Sequence, residues 1–250
     1  MTPSPHSLVR VAAVLFCLCF LAACRSDSRA APHEGDQVSD SGDSFKGEPR
    51  VTADVHYATA QVFESKIATR GANGTRPDAK NVAQLQNAAL NQYAAGLKLD
   101  PQHTPCLHRS ASLLSSMGRH EQALAMWQRY VTATGRTPSS LVNLGLANEL
   151  AEQPDAAEKA YREATQLDPS HKPAHVNLGL LLAKQGQLQP AQAALSTVLS
   201  PAATHWHMGV ALQAAGRTKD ADQHFRAAAA LDPAYAKRPA PPADQSARIE

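Results

Sequence analysis

Eleven histidines and four cysteines are the side chains of this 250-residue sequence with the widest chemical reach, as metal ligands, nucleophiles or proton carriers. Their spacing gives them little to do together. His205 and His207 flank Trp206, but residues two apart on a helix point to different sides and cannot grip one ion. His171 and His175 are four apart, yet Pro173 between them marks a helix start that leaves His171 in the preceding turn. His103, Cys106 and His108 straddle another such break at Pro105. There is no Gly-x-Ser-x-Gly elbow, no phosphate-cradling glycine loop and no His-Glu-x-x-His pair. The sequence predicts no catalytic residue, no metal site and no cofactor. Cys106 reads as a small buried hydrophobe.

The remaining cysteines gather at the N-terminus. Met1 to Arg10 is polar with one positive charge, and Val11 to Ala23 is apolar throughout and holds Cys17 and Cys19. That run is shorter than the roughly 20 residues a membrane-spanning helix needs, and it matches the apolar core of a secretory signal peptide. It closes on Leu21-Ala22-Ala23-Cys24, which resembles the bacterial lipobox. The resemblance implies a signal peptide over 1–23, cleavage before Cys24, and lipidation of its sulfur. The competing reading is an ordinary signal peptide cut after Ala23, with Cys24 unmodified. Two or three acyl chains would hold the protein stably on a membrane, where one alone is marginal. Arg25, in place of the aspartate that signals inner-membrane retention in Gram-negative relatives, implies the outer membrane facing the periplasm.

Residues 25–50 are polar, rich in Ser, Asp and Gly, with Val38 and Phe45 as the large apolar residues. Such a stretch cannot bury enough surface to offset chain entropy. Residues 24–51 are therefore expected to be a lipidated, disordered tether with a mean reach of roughly 30 Å. The formal net charge of +2, without a Lys/Arg block, excludes a nucleic-acid footprint.

The rest of the chain repeats itself. Leu99-Asp100-Pro101 and Leu167-Asp168-Pro169 lie 68 residues apart, twice 34, and Leu231-Asp232-Pro233 follows. Asn143-Leu144-Gly145-Leu146 and Asn177-Leu178-Gly179-Leu180 lie 34 apart. Residues 138–171 carry Leu141, Leu144-Gly145, Ala157, Tyr161, Ala164 and Pro169; residues 202–235 carry His205, Met208-Gly209, Leu212, Ala221, Phe225, Ala228 and Pro233. In period and pattern this resembles the tetratricopeptide-repeat family. The resemblance implies an all-α, right-handed superhelical solenoid of four to five helix-turn-helix repeats: a divergent hairpin over 52–103, then repeats 104–137, 138–171, 172–201 and 202–235, and a Pro-rich disordered tail over 236–250. The third repeat is about one helical turn short. Small residues at Gly145, Gly179, Gly209, Ala157 and Ala191 let paired helices approach closely. Gly118, Gly186 and Gly216 suit the left-handed position after a helix; Glu152 stands there in the second repeat, where Pro154 is expected to set the turn. Tyr161 and Phe225 are expected to be buried.

In this family the first helix of each repeat lines the concave face. Mapped here, the fifth and ninth positions are His108 and Ser112, Val142 and Leu146, Val176 and Leu180, and Trp206 and Val210. The sixth positions are Arg109, Asn143, Asn177 and His207. An apolar strip flanked by Asn143 and Asn177, whose amides can bond a ligand backbone, implies a protein-binding groove. Two other readings of the strip stay open: it is sealed by packing between helices, or it is filled by the tail from Pro239. The carboxylate clamp of chaperone-binding relatives is matched only at Asn143, while Ser112, Pro173 and Asn177 depart from it. The expected function is non-covalent: a lipid-anchored scaffold binding protein or peptide segments in the cell envelope, either as an assembly factor for pili, secretion pores or outer-membrane barrels or as a regulatory adaptor of a cell-wall enzyme.

Overall fold

A computed structural model of the chain describes residues 51–68 and 77–238. The signal peptide, Cys24 and tether expected from the sequence, the loop at 69–76 and the tail from Pro239 lie outside the described residues. Within them the chain is all-α. The helices are α1 (Ala53–Ala68), α2 (Ala79–Leu99), α3 (Thr104–Ser116), α4 (His120–Thr134), α5 (Pro138–Leu150), α6 (Pro154–Leu167), α7 (Lys172–Lys184), α8 (Leu188–Ser196), α9 (Pro201–Ala214) and α10 (Thr218–Leu231), followed by a 3-10 turn at Pro233–Lys237. Each odd helix packs on the even helix after it, and each even helix on the next odd one, which makes a stack of hairpins. None of these helices is long and apolar enough to cross a membrane.

Local chemistry sets the boundaries. Pro138, Pro154 and Pro201 open α5, α6 and α9, and Pro105 and Pro173 sit in the first turns of α3 and α7, where a missing N–H leaves no bond unmade. Thr137 and Ser140 form a reciprocal capping box at the start of α5. His103 and His171, at the same place in two repeats, cap α3 and α7 through ring Nδ1, which accepts the backbone N–H of Cys106 and Ala174 at 3.3 Å in each case. The turns inside repeats use positive φ: Gly118 at 73°, Gly186 at 81° and Gly216 at 74°. Glu152 takes the same conformation, at 57°. The turn is thus set by Glu152 itself, at a cost of roughly 1–2 kcal/mol for an L side chain, and Pro154 only opens the helix after it. Gln153 N–H bonds Asn148 O at 2.8 Å, as Arg119 N–H bonds Leu114 O at 2.9 Å in the glycine-containing turn.

Hairpins close through a small residue facing a large one. A Cβ on Gly145 would lie 2.3 Å from the Tyr161 ring, one on Gly179 2.5 Å from Leu195, and one on Gly209 2.6 Å from Phe225. Tyr161 and Leu195 are fully buried, whereas Phe225 is half-buried: among the described residues the last hairpin is followed only by the 3-10 turn. Glu149 ties three helices: its carboxylate accepts from Tyr161 Oη (2.7 Å) on α6 and Lys184 Nζ (3.2 Å) on α7. Burial, then the Glu149 charge, raises the Tyr161 phenol far above its ordinary range.

The third repeat departs from its neighbours. α8 has 9 residues where α6 and α10 have 14. After it, half-buried Val198 and Leu199 turn into the core and Pro201 restarts the helix. Beside the short α8, α9 packs more on α7 than on α8, whereas α7 packs more on α6 than on α5.

Candidate protein-binding groove

The first helices, α3, α5, α7 and α9, carry the strip expected from the sequence, and the structure buries most of it. Val142 is 6% exposed, Val176 6%, Leu180 4%, Trp206 9% and Val210 3%; Leu146 is half-buried. The strip also divides in two. Val142, Val176 and Leu180, with Leu146 against them, belong to the central core that runs from Leu141 to Ala211. Trp206 and Val210 belong to a C-terminal cluster with Ala228, Phe225 and Tyr235. The Trp206 ring lies 5.0 Å from Phe225 and 5.5 Å from Tyr235. Of the readings the sequence left open, this burial matches the one in which the strip is sealed between helices; the tail lies outside the described residues.

The polar members of the same face are differently placed. Asn143 is half-buried and Asn177 is 8% exposed, and neither amide has a hydrogen-bond partner among the described residues. Buried amides are nearly always bonded, so these two, 34 residues apart on neighbouring helices, are open to water or a ligand. Arg109 pairs with Glu64 across the α1–α3 boundary. His207 is half-buried, and its Nδ1 is inaccessible and has no hydrogen-bond partner among the described residues.

The histidines form pairs rather than metal cages. Among the described residues no three His, Cys, Asp or Glu side chains converge as a metal site would need. Asp54, His103 and Cys106 have the residue types of a catalytic triad, with His103 Nε2 at 2.9 Å from Asp54 Oδ1. But His103 Nδ1 faces the Cys106 backbone N–H, not the thiol. The thiol is fully buried, and burial pushes it up to about 11, so it stays protonated near neutrality. His205, distant from His207 in role, meets His224 of α10 instead, Nδ1 to Nδ1 at 3.1 Å. Sequence spacing alone had no signal for that pairing, because it crosses a hairpin.

Burial is the main cause holding His108, His207 and His224 below the ordinary histidine range, assisted by Arg109 at His108, by Lys172 and Arg238 at His207, and by His205 at His224. A depressed folded value means the unfolded chain binds more protons as pH falls. This stabilisation is complete above the unfolded value of about 6.5 and is lost as pH drops below it. Melting temperature is expected to fall from pH 7.5 towards pH 5, and His224→Asn to flatten that slope; thermal melts followed by circular dichroism across the range check both.

Comparison with known proteins agrees with this geometry. Models of the tetratricopeptide repeat match residues 108–171 and 150–214. Among solved structures, YrrB, described as "a TPR protein with an unusual peptide-binding site", superposes with a TM-score of 0.51 at 19% identity, covering 72% of this chain and 87% of that one. PilW, a "widely conserved type IV pilus biogenesis factor", superposes with a TM-score of 0.51 at 18% identity, covering 71% of this chain and 76% of that one. The "Probable biofilm formation methyltransferase WspC" of Pseudomonas aeruginosa is 36% identical over 73 residues, 29% of this chain. The chain spans 17% of that relative's length, so the match reaches only a part of it. The family models thus identify tetratricopeptide repeats within residues 108–214, and the solved neighbours and the helix pairing give the described array the fold of a helical-repeat solenoid.

Proposed function

We propose that this protein is a lipid-anchored scaffold that holds protein segments in the bacterial cell envelope, on the face formed by the first helices of its repeats. The observation that carries the reading is the pair Asn143 and Asn177, equivalent residues of consecutive repeats whose amides have no partner among the described residues. An asparagine amide donates and accepts like a peptide group, so a row of them can bond an extended backbone whatever its sequence. Burial of the apolar strip beneath them makes that face polar: it holds main chain and leaves side-chain choice to the surrounding residues. The anchor rests on Leu21-Ala22-Ala23-Cys24 in the sequence. The likeness to PilW supports assembly of an envelope appendage as the setting, and the likeness to YrrB supports a peptide as the ligand.

A photo-crosslinking amino acid at position 143, in intact cells, is expected to capture an envelope protein that Asn177→Ala releases. Cys24→Ser is expected to move the protein from the membrane to the soluble envelope fraction. Capture unaffected by Asn177→Ala would remove the groove reading; unchanged fractionation of Cys24→Ser would remove the anchor.

A further inference from the structure

A second recess lies where the N-terminal hairpin meets the first 34-residue unit. It is a cleft of about 460 Å³ between α2 and α4, floored by α3. Its interior is mostly apolar: Leu97 and Leu114 are buried and Leu90 and Met126 half-buried, with the buried Ser110 beside Leu114 on α3. Its rim is cationic. Lys98, Arg119 and Arg129 line it, all exposed, and no Asp or Glu does. Elsewhere on the array Arg109, Arg136, Arg162 and Arg217 each hold a carboxylate. These three hold none among the described residues: Arg119 donates to Gln122, and Arg129 to Pro101 O at 3.1 Å.

The cleft is distinct from the asparagine face. Ser110 and Leu114 look into it, each two residues beyond His108 and Ser112 of the groove positions, so the two surfaces lie on opposite sides of α3. Along α2 the cleft runs from Asn87 to Lys98, and along α4 from Arg119 to Arg129. At 1.5 Å per residue both walls are about 15 Å long, roughly three helical turns.

We propose that this cleft is a second docking site, taking an acidic amphipathic helix of about three turns from a partner protein. Leucine-type side chains on one face of that helix fill the floor, and its flanking carboxylates meet the unpaired Lys98, Arg119 and Arg129. This site goes beyond the asparagine groove and does not depend on it. A scaffold with both surfaces can hold an extended segment on one side and a helix on the other.

The test uses the full chain and two labelled helical peptides of about 14 residues that share one leucine face, one with glutamates and the other with lysines on the polar face. Fluorescence anisotropy is expected to show binding of the glutamate peptide, weakened at least about tenfold in the Arg119→Glu/Arg129→Glu variant, which should now take the lysine peptide. Ala94→Trp, at an exposed position lining the cleft, plugs it and should abolish binding with the melt unchanged. Asn143→Ala with Asn177→Ala should leave it intact, which separates this site from the groove. No binding of the glutamate peptide, equal binding of both peptides, or insensitivity to charge reversal or to Ala94→Trp overturns the proposal. Capture of anionic vesicles without the glutamate peptide also overturns it, in favour of a lipid surface.

Discussion

Tyr161→Ala is expected to destabilise the array by about 3–5 kcal/mol, the range for deleting a large buried aromatic. The ring is fully buried between α5 and α6, and its hydroxyl donates to Glu149, which also holds Lys184. Removing it opens a cavity and frees one arm of a bridge across three helices. Gly145→Ala attacks the same contact from the other side. Its new Cβ would stand 2.3 Å from the ring, and a buried ring has nowhere to go, so overpacking is expected to cost about 1–3 kcal/mol. Since both changes act on one contact, they should not add: in the Tyr161→Ala background, Gly145→Ala should cost little. Urea denaturation of the two single variants and the double variant measures the coupling. A Tyr161→Ala transition indistinguishable from wild type would show that the repeat register is misassigned.

Trp206→Ala is expected to cost a similar 3–5 kcal/mol, concentrated in the last hairpin. The indole is 9% exposed and packs on Phe225 and on Tyr235 of the 3-10 turn, whose ring carries the Arg238 guanidinium at 5.0 Å from its centroid. Losing the indole takes away the contact on which the turn rests, so α10 should fray with it. Helicity should fall by roughly one hairpin's share, since repeats couple only to their neighbours. In a protein with Trp127→Phe, Trp206 emission is expected to resist acrylamide quenching. Strong quenching would restore an open apolar groove, which the sequence pattern alone had suggested.

The sequence revealed the architecture in considerable detail because each repeat writes its requirements twice. Leu-Gly at 144–145 and Tyr161 are the two halves of one contact, and Pro138 and Pro154 mark helix starts through a backbone property that no tertiary setting changes. Exposure was less legible. Whether Val176 and Leu180 face a ligand or another helix depends on how closely neighbouring helices pack, a tertiary distance that the repeat pattern does not encode, and Val142, in a repeat of full length, is buried to the same 6% as Val176. Trp206 misled for a related reason: its covering residue, Tyr235, closes the last repeat beyond Pro233, the final residue of the pattern, and carries no repeat signal. Glu152 shows the limit of residue preference, since a side chain rarely found at positive φ is held there by the same hydrogen bonds that serve the glycines. The cleft between α2 and α4 had no sequence signal, because it joins side chains of three helices.

The shortened α8 also bears on how the chain folds. In a regular solenoid each hairpin touches only the next, and order can begin anywhere and spread like a zipper. Both α7 and α9 touch the two helices of the hairpin before them, but α7 leans more on α6 than on α5, whereas α9 leans more on α7 than on the short α8. Such contacts are non-local but still short in sequence, so they cost little loop entropy to close. What changes at the short repeat is therefore the balance of a shared contact, and a chain built on a uniform period carries one joint of different make at the place where the period fails.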